Sequence, residues 1–277
     1  MRVDERLEFQ RHPYRFIAKR CRQIASDVSV TRLFLRKNTG RTEEAARRHR
    51  KAMFLALTAP GRIQELADLF RQELRGELPQ WQGLDHVVLY ETLQRVLTRA
   101  VCKWAGVPLA SREAARRSKQ LALFDAADRS PVHFKSRLAR ARTKDWAAGL
   151  IENVRLGALR PPLRTALREI ALQRDIDGQL LSAQAAAVEL LDLLRPAVAA
   201  SGDIVNCARA LHQFPKTVER LKAGGQPYRD TFIGELRQRH PALPAVPAQL
   251  AVALMRTALD FFTETIRYNT PEPDRHA

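Results

Sequence analysis

The chain has 277 residues, 45% of them apolar, with only 12 glycines and a net charge of +17. That balance excludes a disordered or collagen-like polymer and favours a helix-rich globular protein. Arginine outnumbers lysine 38 to 9. The arginines are spread over nearly every segment, with no basic block interleaved with stacking aromatics, so charge alone does not favour nucleic-acid binding over a solvated surface.

In chain order, residues 13–26 carry Tyr14, Phe16, Ile17, Cys21 and Ile24 at helical spacing. Val28–Leu35 alternates and is β-branched at its start, which predicts a strand, and Asn38-Thr39-Gly40 predicts a turn. A helix follows from Thr42, a predicted N-cap, through Arg47-Arg48-His49-Arg50-Lys51 to about Leu57, where Pro60-Gly61 breaks it. Arg62 to Leu78 is amphipathic, with Ile63, Leu66, Leu69, Phe70 and Leu74 on one face. Further helices are predicted over Val87–Trp104, Ser111–Ala127 and 132–156, the last with Arg137, Arg140 and Arg142 on a solvated face. Pro161-Pro162 predicts a short helix to Gln173, and Asp175–Gly178 a turn.

A helix from Ser182 to His212 would be about 46 Å long and cross a whole domain. Short helices from Pro215 to Lys222 and from Tyr228 to His240 follow, then an amphipathic helix over 248–266; Tyr268-Asn269-Thr270 reads as strand. The pattern predicts one mainly α domain over residues 1–277 with little β sheet. Cys21, Cys102 and Cys207 lack CxxC or Cys/His spacing, which argues against a zinc site or a disulfide framework. No uncharged apolar run reaches about 18 residues, and MRVDERLEFQRH lacks the apolar core of a signal peptide, so a cytoplasmic protein without a membrane span is expected.

The long helix holds the feature that asks for an explanation, Leu193-Leu194-Arg195-Pro196-Ala197. Burying a guanidinium costs several kcal/mol unless it is paired. Proline inside a helix removes a hydrogen bond and clashes with the preceding turn, a cost of about 3 kcal/mol. Together they suggest a cation beside a gap in an apolar helix, matched to an anion with an apolar tail such as a carboxylic acid. The alternative is that Arg195 lies on a solvated face or pairs with an internal acid.

Several stretches, in the right order, resemble the fatty-acid peroxygenases of the cytochrome P-450 superfamily. Tyr14–Arg36 resembles that family's start and first strand, Arg48–Phe54 its C helix, Ala100–Leu109 the end of its E helix, Ala187–Pro196 its I helix, Glu235–Pro241 its K helix, and Leu254–Tyr268 its L helix and closing strand. The resemblance implies a haem b enzyme that hydroxylates fatty acids with hydrogen peroxide. It implies that Arg195 and Pro196 hold the fatty-acid carboxylate and that Arg47, Arg50 or Lys51 hold haem propionates.

The resemblance also has gaps. Val246 stands at the junction where the family's cysteine loop is expected, so the haem-ligating cysteine is missing there, and so is the B to B-prime region near Ala46-Arg47. The fold is therefore expected to be an incomplete cytochrome P-450. The K-helix signature is altered too, because Glu235 is followed by Arg237 and Gln238 rather than by arginine three places on. These gaps imply a family member that no longer catalyses, a pseudoenzyme. A histidine ligand from His49, His86, His133 or His212 is the alternative, and a non-catalytic fatty-acid binder or a basic nucleic-acid-binding protein are the other functional readings. Loss of the haem-covering segments further predicts exposed apolar surface at Leu190, Leu194 and Leu254, and hence oligomerisation or aggregation.

Overall fold

Eleven α-helices carry the described residues, 41–81, 84, 87–126, 133–239 and 248–265, in this computed structural model. They are α1 (Arg41–Leu57), α2 (Pro60–Trp81), α3 (Leu89–Ala105), α4 (Ser111–Ala126), α5 (His133–Arg155), α6 (Ala166–Ala171), α7 (Ala183–Ala199), α8 (Ser201–Gln213), α9 (Pro215–Ala223), α10 (Gly225–Arg239) and α11 (Ala248–Thr265). Among the described residues the β structure is one isolated antiparallel bridge, Arg174 to Leu180, across the turn at Asp175–Gly178. The Asp175 carboxylate closes that turn by accepting the N–H groups of Asp177 and Gln179, and Gly178 takes φ +77°. The strands expected at 28–35 and 268–270, the helix over 13–26 and the turn at 38–40 lie outside the described residues, as do Cys21, His86 and the Val246 junction.

Periodicity explains most of these elements. On α3, Leu93, Val96, Leu97 and Val101 are fully buried, and Gly106 at φ +75° ends the helix by donating its N–H to the carbonyls of Cys102 and Lys103. On α2, Ile63, Leu66, Phe70 and Leu74 form the buried stripe that packs on α3 and α11. Glu77 lies on the same stripe and is also buried. Arg99 of α3 makes this tolerable by donating to Glu77 at 2.5 Å and to Glu73 at 2.7 Å, an ion triad tying α2 to α3.

The centre of the fold is α7, which packs against α3, α4, α5 and α6. The Ser182 hydroxyl caps it by accepting the Ala185 N–H at 3.1 Å. Ala186, Ala187 and Ala197 are fully buried, so small side chains let the neighbouring helices approach closely.

Four details differ from the sequence expectations. The long central helix is two segments meeting at Ala200, which keeps right-handed helical angles (φ −61°, ψ −14°) and donates to the Pro196 carbonyl. Pro196 sits inside α7 and has no N–H to give to the Asp192 carbonyl, while the segment boundary falls just before Ser201-Gly202. Pro161-Pro162 does not open a helix directly. A residue before proline is biased away from the α region, and the chain turns until Thr165, the N-cap position of α6. The helix expected from Thr42 already includes Arg41, and the one expected from Tyr228 begins at Gly225.

The largest correction concerns exposed apolar surface. Leu190, Leu194 and Leu254 are all fully buried. The reason is direct packing: α11 lies against α2, α8 and α7, and brings Leu254, Met255, Leu259, Phe261 and Phe262 into the same core as α7. Fully burying each such side chain stabilises by roughly 1.5–3 kcal/mol, so the helices close on each other rather than leave a face open. No helix among the described residues is long and apolar enough to cross a membrane.

Candidate functional site: a buried guanidinium beside an apolar crevice

Arg195 lies on α7 at 7% exposure, so it is not on a solvated face, and the internal-acid pairing given as the other alternative is present. Its Nη2 donates to Asp192 Oδ1 at 3.1 Å, one helical turn earlier. Asp192, Leu193 and Pro196 present one edge of α7 to a narrow, solvent-open crevice that leaves about 10 Å3 for a water-sized sphere, walled opposite by Phe54, Thr58, Ile63, Leu66, Trp104 and Leu250. The polar atoms of those walls are turned away or already used. The Thr58 hydroxyl donates to the Phe54 carbonyl at 2.7 Å, and the Trp104 indole N–H to the Arg62 carbonyl at 2.8 Å. An apolar crevice thus carries one charged lining residue, Asp192, and Arg195, which does not line it, is reached through Asp192.

One turn before Asp192 stands Glu189, half-buried on the same side of α7 and 3.7 Å from Arg50 Nε of α1. Burial raises the Glu189 carboxyl above the usual range, the Arg50 charge pulls it down, and the Asp192 charge pushes it up. Arg50 was expected to hold a haem propionate; here it faces an internal carboxylate. Lys51 is exposed, and the side chain of Arg47 lies outside the described residues.

The K-helix residues fall on α10. Glu235 is exposed, and Arg237 is half-buried where its charge acts on Asp203 of α8. Asp203 is 6% exposed; desolvation raises its pKa to about 6 even though the Arg237 charge pulls it down. Neither Asp203 nor the Glu189–Asp192 pair was singled out in the sequence. The available signal was two acids three apart in a helix, followed three residues later by arginine, a spacing that puts all three on one side of α7.

Solved structures place the chain in a family. Cytochrome P450SP alpha (CYP152B1), in complex with (R)-ibuprophen, superposes at TM-score 0.72 with 30% identity, covering 86% of this chain and 75% of that one. The chain belongs to the CYP152 family of cytochromes P-450. Cytochrome P450EX alpha (CYP152N1), solved with myristic acid, matches at TM-score 0.63 with 34% identity over 73% of this chain and 47% of that one. An OleT cytochrome P-450 variant, solved with arachidonic acid, gives 0.64 at 25% identity, with 73% and 48% covered. No family model matches the chain. The fold is a cytochrome P-450 one, mostly helical and incomplete.

CYP152 membership implies haem, and thiolate ligation would need an ionised cysteine facing the porphyrin. Among the described residues the cysteines are Cys102 of α3 and Cys207 of α8, both fully buried and neither lining the crevice. Burial pushes the Cys102 thiol up to about 12, and pushes Cys207 up as well, helped by the Asp203 charge. Both are neutral thiols at physiological pH. His49 and His212 are exposed on helix surfaces. Neither described cysteine is placed to ligate a haem iron, and Cys21 and the Val246 junction lie outside the described residues.

Proposed function

We propose that this CYP152 chain binds a long-chain carboxylic acid and does not carry out the peroxide-dependent hydroxylation that the family resemblance implies. The observation that carries this reading is a guanidinium at 7% exposure beside an apolar crevice that has Pro196 in its wall. A carboxylate takes the Arg195 fork with one or two charge-assisted hydrogen bonds, worth roughly 1.5–3 kcal/mol. The alkyl chain lies against Phe54, Leu66, Leu193 and Leu250. As it stands the crevice leaves only about 10 Å3 for a water-sized sphere, room for about one water, so these side chains must part to admit an alkyl chain. P450EX alpha was solved with myristic acid and OleT with arachidonic acid, both aliphatic acids, which supports the same ligand class here.

Non-catalysis is supported by the position of the described cysteines: Cys102 and Cys207 are fully buried and do not line the crevice, so neither is placed to reach a haem iron. Calorimetric titration of myristate into wild type and Arg195→Ala tests the binding half. Loss of at least tenfold in affinity on substitution is expected, and equal affinity in both proteins would discard the carboxylate seat.

A further inference from the structure

The acid that the ligand must meet first is part of the chain. Asp192 both lines the crevice and holds the Arg195 fork at 3.1 Å, while one turn away Glu189 occupies Arg50 at 3.7 Å. Arg50, Glu189, Asp192 and Arg195 form a row along α7, with Arg50 beside Glu189 and Arg195 beside Asp192. Both arginines that the family resemblance assigns to anions thus already face carboxylates of α7. Adding a free carboxylate without displacing one of these brings a third negative charge beside Glu189 and Asp192 in a partly buried row. Like charges that close disfavour one another strongly away from water.

We propose that Asp192 is a tethered competitor for the Arg195 seat and the residue that sets what the crevice accepts. Being attached one turn away on the same rigid helix, it acts at high effective concentration against any free acid. Wild type therefore discriminates weakly between a fatty acid and the corresponding fatty alcohol, whose hydroxyl can hydrogen-bond to Asp192 without adding charge. Removing the Asp192 charge converts the site into one that prefers the acid. This inference rests on the carboxylate reading above.

The test is a set of calorimetric titrations with myristate and with myristyl alcohol on wild type, Asp192→Asn, Asp192→Ser, Arg195→Met and the double variant Asp192→Asn/Arg195→Met. The double variant removes one charge of each sign, and circular dichroism checks that each protein is folded. The expected result is a gain of about tenfold or more in myristate affinity for Asp192→Asn and Asp192→Ser, about 1.4 kcal/mol. The alcohol's affinity stays within about threefold, and the double variant loses the gain. Myristate affinity unchanged or weakened in both Asp192 variants, with Arg195→Met weaker than wild type, overturns the competitor and leaves the carboxylate seat standing. A gain retained in the double variant overturns the competitor as well, because Arg195 is then not what Asp192 blocks. Myristate binding indifferent to every substitution overturns both readings.

Discussion

Asp203 offers the sharpest stability prediction. Its carboxyl is 6% exposed, and burial raises its pKa from 3.8 to about 6 against the pull of Arg237. A shift of about two units corresponds to roughly 3 kcal/mol between the two protonation states. The sign follows from proton binding. The folded chain holds this proton more tightly than the unfolded chain, so the contribution is fully favourable below about pH 4 and is lost as pH rises through about 6. Asp203→Asn keeps the shape and removes the titration. Relative to wild type it should be stabilised by roughly 3 kcal/mol at pH 8 and by about half of that at pH 5, where the folded carboxyl is still protonated. Urea unfolding of both proteins at these two pH values reads the difference directly. A variant less stable than wild type at pH 8, or an equal difference at both pH values, would mean that attraction to Arg237 outweighs burial and that the reasoning is wrong.

Leu194→Ala should destabilise by about 2–5 kcal/mol in urea unfolding, because Leu194 is fully buried where α7 meets its neighbours. A change below about 1 kcal/mol would restore the exposed apolar face expected from the sequence. Gly106→Ala forces a side chain onto φ +75° and places its Cβ 2.5 Å from the Thr165 hydroxyl oxygen. A loss of about 1–3 kcal/mol is expected, read as a lower urea midpoint with unchanged m-value.

Much of the scaffold was legible because long amphipathic helices announce themselves. Leu93, Val96, Leu97, Val101 and Trp104 recur at helical spacing and are all buried on α3. Ser182 read as a helix start and caps α7 as a hydrogen-bond acceptor. The break at Ala200 had a weak local signal, Ser201-Gly202 directly after it, which the apolar run on either side outweighed. The charged pairings were less legible, because they depend on how helices distant in sequence are aligned. Arg50 was expected at a haem propionate until α1 was set beside Glu189, and the burial of Glu77 becomes explicable only once Arg99 of α3 is within 2.5 Å. Arg195 was correctly singled out as anomalous by its cost, but which of the two explanations applied depended on the rotamer that brings it to Asp192.

The exposed-surface expectation failed for a different reason. It assumed that the helices keep the positions they have around a cofactor. Side chains such as Leu254 and Phe262 bury equally well against α8 and α2, and apolar burial has no direction to preserve.

The central claim is that this CYP152 chain keeps an acid-binding guanidinium in a fold whose described cysteines are buried, neutral thiols. Its most direct test is the carbon monoxide spectrum of the reduced protein after expression with excess haem. The account predicts no thiolate-type Soret band and no laurate oxidation on adding hydrogen peroxide. A stoichiometric thiolate-type band accompanied by hydroxylated laurate would contradict it.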